Sequence, residues 1–278
     1  MKRLRLLPNL YIGVILVMMY IPILLVILYS FNASRLSSVW EGFTLTWYQE
    51  LFRDRSMFQA LRNSAVLALL SSLSAGFIGT LAAAGMARSR PPGAGAMEYL
   101  ATLPIMVPEI ILGMVFLAFF SLLALPFGMF TLVIAHTAFC IPYVYLMVKA
   151  RLGSMDKSYV EAARDLGAGE MRAFYDITLP FIFPALISGM LLSFAMSFDD
   201  VIISVFVTGI HTNTLPIKIY SQIKTGVTPK TNALCTLLFA ATVVLGLCSA
   251  ALARHRGVSP EIPRDSVNSE KKYKGELT

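Results

Sequence analysis

Charge is what this 278-residue chain has least of. Only 14% of its residues are Asp, Glu, Lys or Arg, where a soluble domain carries about 25%. Hydrophobic residues make up 56%, and the mean hydropathy is +0.70. That balance excludes an ordinary water-soluble domain and requires surface that faces lipid. Cysteine is also scarce. Cys140, Cys235 and Cys248 all fall in apolar runs, at spacings that fit neither a disulfide framework nor a zinc site, so they read as small packing residues. A Gly-x-x-x-x-Gly-Lys-Ser/Thr phosphate loop is missing. Gly93-Ala94-Gly95 and Gly167-Ala168-Gly169 lack the strand–helix context of a dinucleotide fold. No Ser/His/Asp or metal-ligating cluster has convincing spacing, so the sequence offers no catalytic residue, no metal ligand and no cofactor site.

Long apolar runs are what the chain does have. A span needs about 20 apolar residues to cross a hydrocarbon core of about 30 Å. Six runs qualify, near 9–30, 61–86, 98–123, 129–149, 180–206 and 232–253. The expected fold is therefore an all-α membrane protein with six transmembrane helices over 9–253, a short N-terminus (1–8) and a polar, disordered tail (254–278). The first run follows a basic start, exceeds a signal peptide's apolar core and lacks a small-x-small cleavage site, so it reads as an uncleaved span.

The net charge of +7 is a membrane signature rather than a nucleic-acid one, because the basic residues are sorted by side. Sixteen of the 23 Lys and Arg lie on the N-terminal side, among them Lys2, Arg3, Arg5, Arg88, Arg90, Lys149, Arg151, Lys157, Arg164, Arg172 and those of the tail. Seven lie opposite: Arg35, Arg53, Arg55, Arg62, Lys218, Lys224 and Lys230. Both termini are expected in the cytoplasm.

The connecting segments carry their own signals. The outer loop 31–60 holds Trp40, Trp47 and Tyr48, and repeats Leu45, Tyr48, Leu51 and Phe52 at helical spacing. This predicts a short amphipathic helix at the outer interface, or a docking surface for an external partner. Residues 87–93 are basic and rich in breakers, a cytoplasmic turn. Ser72 with Gly76, and Gly79 with Ala83, let helices approach closely. In the loop 150–179, Ser158-Tyr159-Val160-Glu161 forms a capping box that starts a helix near Tyr159, and Gly167 suits its C-terminal end. Val160, Ala163 and Leu166 fall on one face. A second helix from about Glu170 leads to Pro180, which opens the fifth span. Leu215–Ser221 reads as a short surface helix.

Glu161-Ala162-Ala163, three residues, Gly167, nine residues, then Ile177-Thr178-Leu179-Pro180 resembles the signature loop of ABC importer permeases. The rest of the chain adds a narrower likeness. Tyr29-Ser30-Phe31-Asn32, Trp47-Tyr48, Phe139-Cys140-x-Pro142, Ser197-Phe198-Asp199-Asp200-Val201, Leu215-Pro216-x-Lys218-Ile219-Tyr220-Ser221, Gly226-Val227-x-Pro229 and Asn232-Ala233-Leu234 resemble the second permease subunit of spermidine/putrescine importers. The resemblance implies the type I ABC importer permease fold and a bacterial inner-membrane location. It implies a second permease subunit, two ATPase subunits that use ATP and Mg, and a periplasmic polyamine-binding protein as partners. It makes Glu161, Ala162, Ala163 and Gly167 the residues that couple to the ATPase. Their chemistry suits that role, because two alanines permit close approach, a glutamate pairs with a basic partner, and a glycine allows the turn.

Acidic residues inside the apolar runs point the same way. A carboxylate at mid-bilayer costs about 2.5–3.5 kcal/mol on insertion scales. Glu109 lies ten residues into the third run, at roughly 15 Å depth for a continuous helix. Pro108 precedes it and frees the carbonyl of Pro104. Such a break is tolerated where backbone lines a watery path. Asp199 and Asp200 come late in the fifth run, near the outer mouth. Carboxylates with aromatic walls match polyamine cations, and Tyr143, Phe194 and Phe198 are candidate walls. The structural alternatives are a hydrogen bond for Glu109, a helix-end or interhelix role for the Asp pair, and plain packing for the aromatics. His136 reads as a satisfied interhelical partner. Three rivals remain: a permease for another solute, a cation-coupled transporter or channel using Glu109, and an intramembrane enzyme using Glu109 with His136.

Overall fold

The computed structural model describes residues 6–34, 39–89, 92–156, 158–210 and 212–255. Most of the N-terminal segment, the tail beyond His255, and Arg35, Arg90, Pro91 and Lys157 lie outside the described residues. The described chain is helical, with one isolated bridge between Asn32 and Phe43. It divides into two compact units, 1–49 with 228–278 and 50–227.

In the first unit, α1 (Leu6–Tyr29) packs along α12 (Pro229–His255). The span of α1 has no buried residue within its apolar window, as a lipid-facing helix requires. The loop that follows α1 is built on Asn32. Its side-chain amide donates to the Val39 carbonyl at 2.6 Å and its Oδ1 accepts the Glu41 N–H at 3.0 Å. Trp47 Nε1 donates to the Asn32 carbonyl at 2.6 Å, and Phe31 stacks on Phe43 with centroids 5.3 Å apart. The short helix α2 (Thr46–Arg53) forms where the apolar spacing predicts it. Its buried stripe is Trp47 and Leu51, whereas Leu45 and Phe52 are exposed.

The second unit holds α3 (Arg55–Ser89), α4 (Ala94–Met106), α5 (Glu109–Leu122), α6 (Met129–Gly153), α7 (Ser158–Asp165), α8 (Glu170–Ala173), α9 (Leu179–Asp199), α10 (Ile202–Val207) and α11 (Leu215–Thr225). Its core is the mutual packing of α3, α6 and α9. Glycine sets these distances. A Cβ on Gly79 would lie 3.1 Å from the Tyr145 amide nitrogen and 3.2 Å from the Ile141 carbonyl oxygen, and one on Gly189 would lie 3.0 Å from Val144 Cα. In lipid, helices gain from close van der Waals packing rather than from leaving water, so small residues at contacts matter most. Leu67, Leu132, Val144, Val148 and Ile182 fill the space between them without exposure.

Two expected spans are not single straight helices. The third run, 98–123, is α4 and α5, bent by 109° at Val107 and Pro108. The fifth run, 180–206, ends as a helix at Asp199; α10 is a separate helix beyond a short break. Going the other way, α9 continues the helical rise from Glu170 through one π-turn over Phe174–Thr178, which ends two residues before Pro180. Among the described residues, four helices are long and apolar enough to cross a membrane, or five if α4 and α5 make one broken span.

Candidate functional site

The α4–α5 bend begins with sequence chemistry. Proline at 108 has no N–H for the Pro104 carbonyl, and Val107 and Pro108 both adopt extended ψ (129° and 134°). The helix therefore stops at Met106 and restarts at Glu109, whose side chain is exposed at the first position of α5. The bend puts Glu109 at a helix start rather than midway along a straight span.

The α9–α10 break brings the other carboxylates. Asp199 closes α9 and is exposed, while Asp200, next in the chain, is only 9% exposed. The Asp200 carboxylate accepts the N–H of Ile203 at 3.2 Å and of Ser204 at 2.8 Å, so it caps α10. It also accepts the Ser204 hydroxyl at 2.8 Å. α10 is held against α5, where Phe206 lies over Gly113 so tightly that a Cβ would not fit. As a result Glu109, Asp199 and Asp200 come within reach of one another's charge, with Tyr143 of α6 near Glu109. Glu109 and Asp199 enter no ion pair among the described residues. Phe198 stacks on Phe194 with centroids 5.9 Å apart, and Tyr143 meets Phe139 edge-on at 6.2 Å. The α5–α10 packing thus draws Glu109 and the Asp199–Asp200 pair, from two helix breaks far apart in sequence, into one region, with Tyr143 of α6 near Glu109.

The loop from 150 to 179 forms a second site. α7 is capped by Asp156, whose Oδ1 accepts the Ser158 N–H at 2.9 Å. That bond holds the Asp156 carboxyl below its ordinary range. The helix ends in a Schellman turn: Gly167 N–H donates to the Arg164 carbonyl at 2.8 Å and Ala168 N–H to that of Ala163 at 2.9 Å. Gly167 has φ +86°, the left-handed conformation that glycine adopts most easily. Glu161 and Ala162 are exposed and Ala163 is half-buried. Leu166 does not share the face of Val160 and Ala163. It sits at the turn, 90% exposed, because α7 has already ended.

Around the turn stand further exposed apolar side chains, Tyr159, Met171 and Tyr175, in a region otherwise charged. Behind it opens a cleft of about 1010 Å³ between the ends of α3, α4 and α6 and the loop. Ion pairs tie its walls: Glu170 to Arg88 and, at 3.7 Å, to Arg164, and Glu98 to Lys149. None of Glu98, Glu170, Tyr159 and Leu166 stands out as functional in the sequence. The only local signal for the last two is apolar character inside a hydrophilic loop.

Residues 75–257 match the family model described as the binding-protein-dependent transport system inner membrane component. The chain is 40% identical over 235 residues to the putrescine transport system permease protein PotI of Escherichia coli K12, covering 82% of this chain and 84% of that one. It is 39% identical over 252 residues to the spermidine/putrescine transport system permease protein PotC of the same strain, covering 91% and 96%. PotC of Haemophilus influenzae is 37% identical over 248 residues, covering 89% and 96%. In fold, the chain is similar to a subunit of a bacterial ABC transporter involved in importing the acidic polysaccharide alginate, with a TM-score of 0.71, 12% identity and coverage of 91% and 96%. It is also similar to a chain of the MetNI methionine ABC transporter in an inward-facing form, with a TM-score of 0.59, 17% identity and coverage of 76% and 98%. The chain belongs to the family of binding-protein-dependent transport system inner membrane components and is a multi-pass inner-membrane protein.

Proposed function

We propose that this chain is a permease subunit of an ATP-driven importer that carries polyamines, spermidine or putrescine, into the cytoplasm by alternating access. The observation that carries the cargo assignment is that the packing of α10 on α5 draws exposed Glu109, at the start of α5, toward exposed Asp199 and its neighbour Asp200 at the α9–α10 break, with Tyr143 near Glu109. A polyamine presents ammonium groups separated by methylenes, and carboxylates with aromatic faces are the complementary chemistry. The functions that name the relatives, putrescine and spermidine/putrescine transport, support the same cargo.

The chain has six spans with both ends in the cytoplasm, in keeping with the sorting of its basic residues. It works with a second permease subunit, two ATPase subunits and a periplasmic polyamine-binding protein, and the path lies between the two permeases. ATP and Mg are used by the ATPase; this chain binds neither. Glu161, Ala162, Ala163 and Gly167 transmit ATPase movement to the spans, and the exposure of Glu161 and Ala162 beside Leu166 supports a docking role. The loop belongs to the segment 150–179 of the permease domain 9–253.

The test is reconstitution of the four-component complex in proteoliposomes with ATP and Mg on the ATPase side. Radiolabelled spermidine or putrescine should accumulate only with ATP, Mg and binding protein together. Accumulation that follows an ion gradient without ATP would establish the cation-coupled alternative. ATP-dependent transport of another solute, with polyamines ignored, would move the cargo assignment elsewhere within the importer class.

A further inference from the structure

A histidine that the transport reading leaves idle sits behind the path. His136, on α6, has no exposure. Its Nδ1 lies 2.8 Å from Ser197 Oγ on α9, just before the break. Its Nε2 lies 3.0 Å from Ser204 Oγ on α10, just after the break, and 3.4 Å from Asp200 Oδ2. Donors and acceptors close with the proton on Nε2. The Ser197 hydroxyl donates to Nδ1, Nε2–H donates to Ser204 Oγ, and the Ser204 hydroxyl donates to Asp200 Oδ2.

One rigid ring therefore bridges both sides of a chain break. Its two nitrogens face opposite ways, so each reaches a different helix. A glutamine carries both polar atoms at one end and cannot span Ser197 and Ser204 together. A satisfied buried network of this kind fixes geometry, because every bond in it is strong and every unpaired group is costly. What it fixes here is where α9 stops. The Asp200 backbone is extended, with φ −64° and ψ 129°, and Asp199 is the last helical residue before it. Winding or unwinding α9 by one residue would turn its terminal side chain by about 100° around the helix. The carboxylate that now faces outward with Glu109 would then point elsewhere.

We propose that His136 is a positioning residue of the cargo path: by clasping Ser197 and Ser204 across the α9–α10 break, it keeps Asp200 inside and Asp199 facing the path. The identity of the path rests on the function proposed above, but the clasp itself is testable without cargo. The probe is thiol labelling of an Asp199→Cys variant in the full transporter complex, with Cys140, Cys235 and Cys248 replaced by alanine. The reagent is 2-(trimethylammonium)ethyl methanethiosulfonate. Adding His136→Gln should slow labelling about tenfold, because the bridge between the two serines is broken, and the milder Ser197→Ala should slow it less, because the bond to Ser204 remains. Co-purification of the ATPase shows that each variant is assembled. Unchanged labelling in both variants would overturn the proposal.

Uptake kinetics give the second readout. His136→Gln should raise the KM for spermidine about tenfold while the maximal rate per assembled complex stays within about twofold. In an Asp199→Asn background the same change should add less than about twofold, because both act on one group. Full additivity, or a fall in maximal rate with KM unchanged, would overturn it. A wild-type complex that ignores polyamines would instead sink the cargo reading, and the labelling rates would still decide the clasp.

Discussion

Two of the molecule's helix breaks are held in different ways. At Gly167, in the hydrophilic loop, the turn is held by backbone: two Schellman hydrogen bonds and a glycine at φ +86°. At Asp200, inside the apolar fifth run, it is held by side chains: a carboxylate on two amides, two serines and a histidine from another helix. The difference follows from solvent. In water an unpaired amide finds a partner at once, so a turn needs only conformational permission. Away from water each orphan amide must be given a partner, and at Asp200, where no proline removes an N–H, a dedicated polar set supplies it. The first turn is free to expose Leu166 and Glu161. The second is free to expose one carboxylate only because its neighbour is committed to structure.

The largest test of this contrast is Asp200→Ala. It leaves the Ile203 and Ser204 amides and the Ser204 hydroxyl without their acceptor, at a cost of about 3 kcal/mol or more. The assembled complex should be scarce and heat-labile in detergent thermal-shift measurements. Next comes Glu109→Gln, which should reduce polyamine kcat/KM at least about tenfold by removing a charge-assisted contact, with assembly unchanged. Radiolabel uptake against complex abundance separates these effects. Wild-type uptake would make Glu109 structural.

Gly167→Ala should be milder in stability, about 1 kcal/mol for a left-handed non-glycine residue, yet it should uncouple ATP hydrolysis from uptake by shifting Leu166 and Glu161. Vesicle ATPase and transport rates measured together check this, and an unchanged ratio contradicts it. The smallest effect concerns Asp156. The Ser158 N–H bonds its ionised form and lowers its pKa, so the cap is complete above the unfolded value of about 3.9. It is lost only as pH falls through the lower folded value. Hydrogen exchange of the α7 amides should therefore be flat from neutral pH to about 4 once intrinsic rates are removed.

Much of this was legible in the residues. Scarce charge and long apolar runs placed α1, α3, α6 and α9, and the breakers of the hydrophilic loop placed α7, its turn at Gly167 and the helix from Glu170. The 109° bend was not legible, although Pro104 and Pro108 were, because hydropathy reads composition and is blind to backbone direction. The break after Asp199 contains neither glycine nor proline, and the helix-end role weighed for the Asp pair was its one sequence signal. The clasp on His136 links positions 61 and 68 residues apart, beyond any periodic pattern. Helical spacing puts Leu166 on the wrong face because it carries the pattern past the point where the helix stops.

The most direct measurement is initial-rate spermidine uptake, over a range of concentrations, by the assembled complex carrying Asp199→Asn. If Asp199 is the carboxylate that meets the cargo, the complex assembles at wild-type level and its KM rises about tenfold or more. Wild-type kinetics in a fully assembled complex would contradict the account and return Asp199 to the role of a helix end.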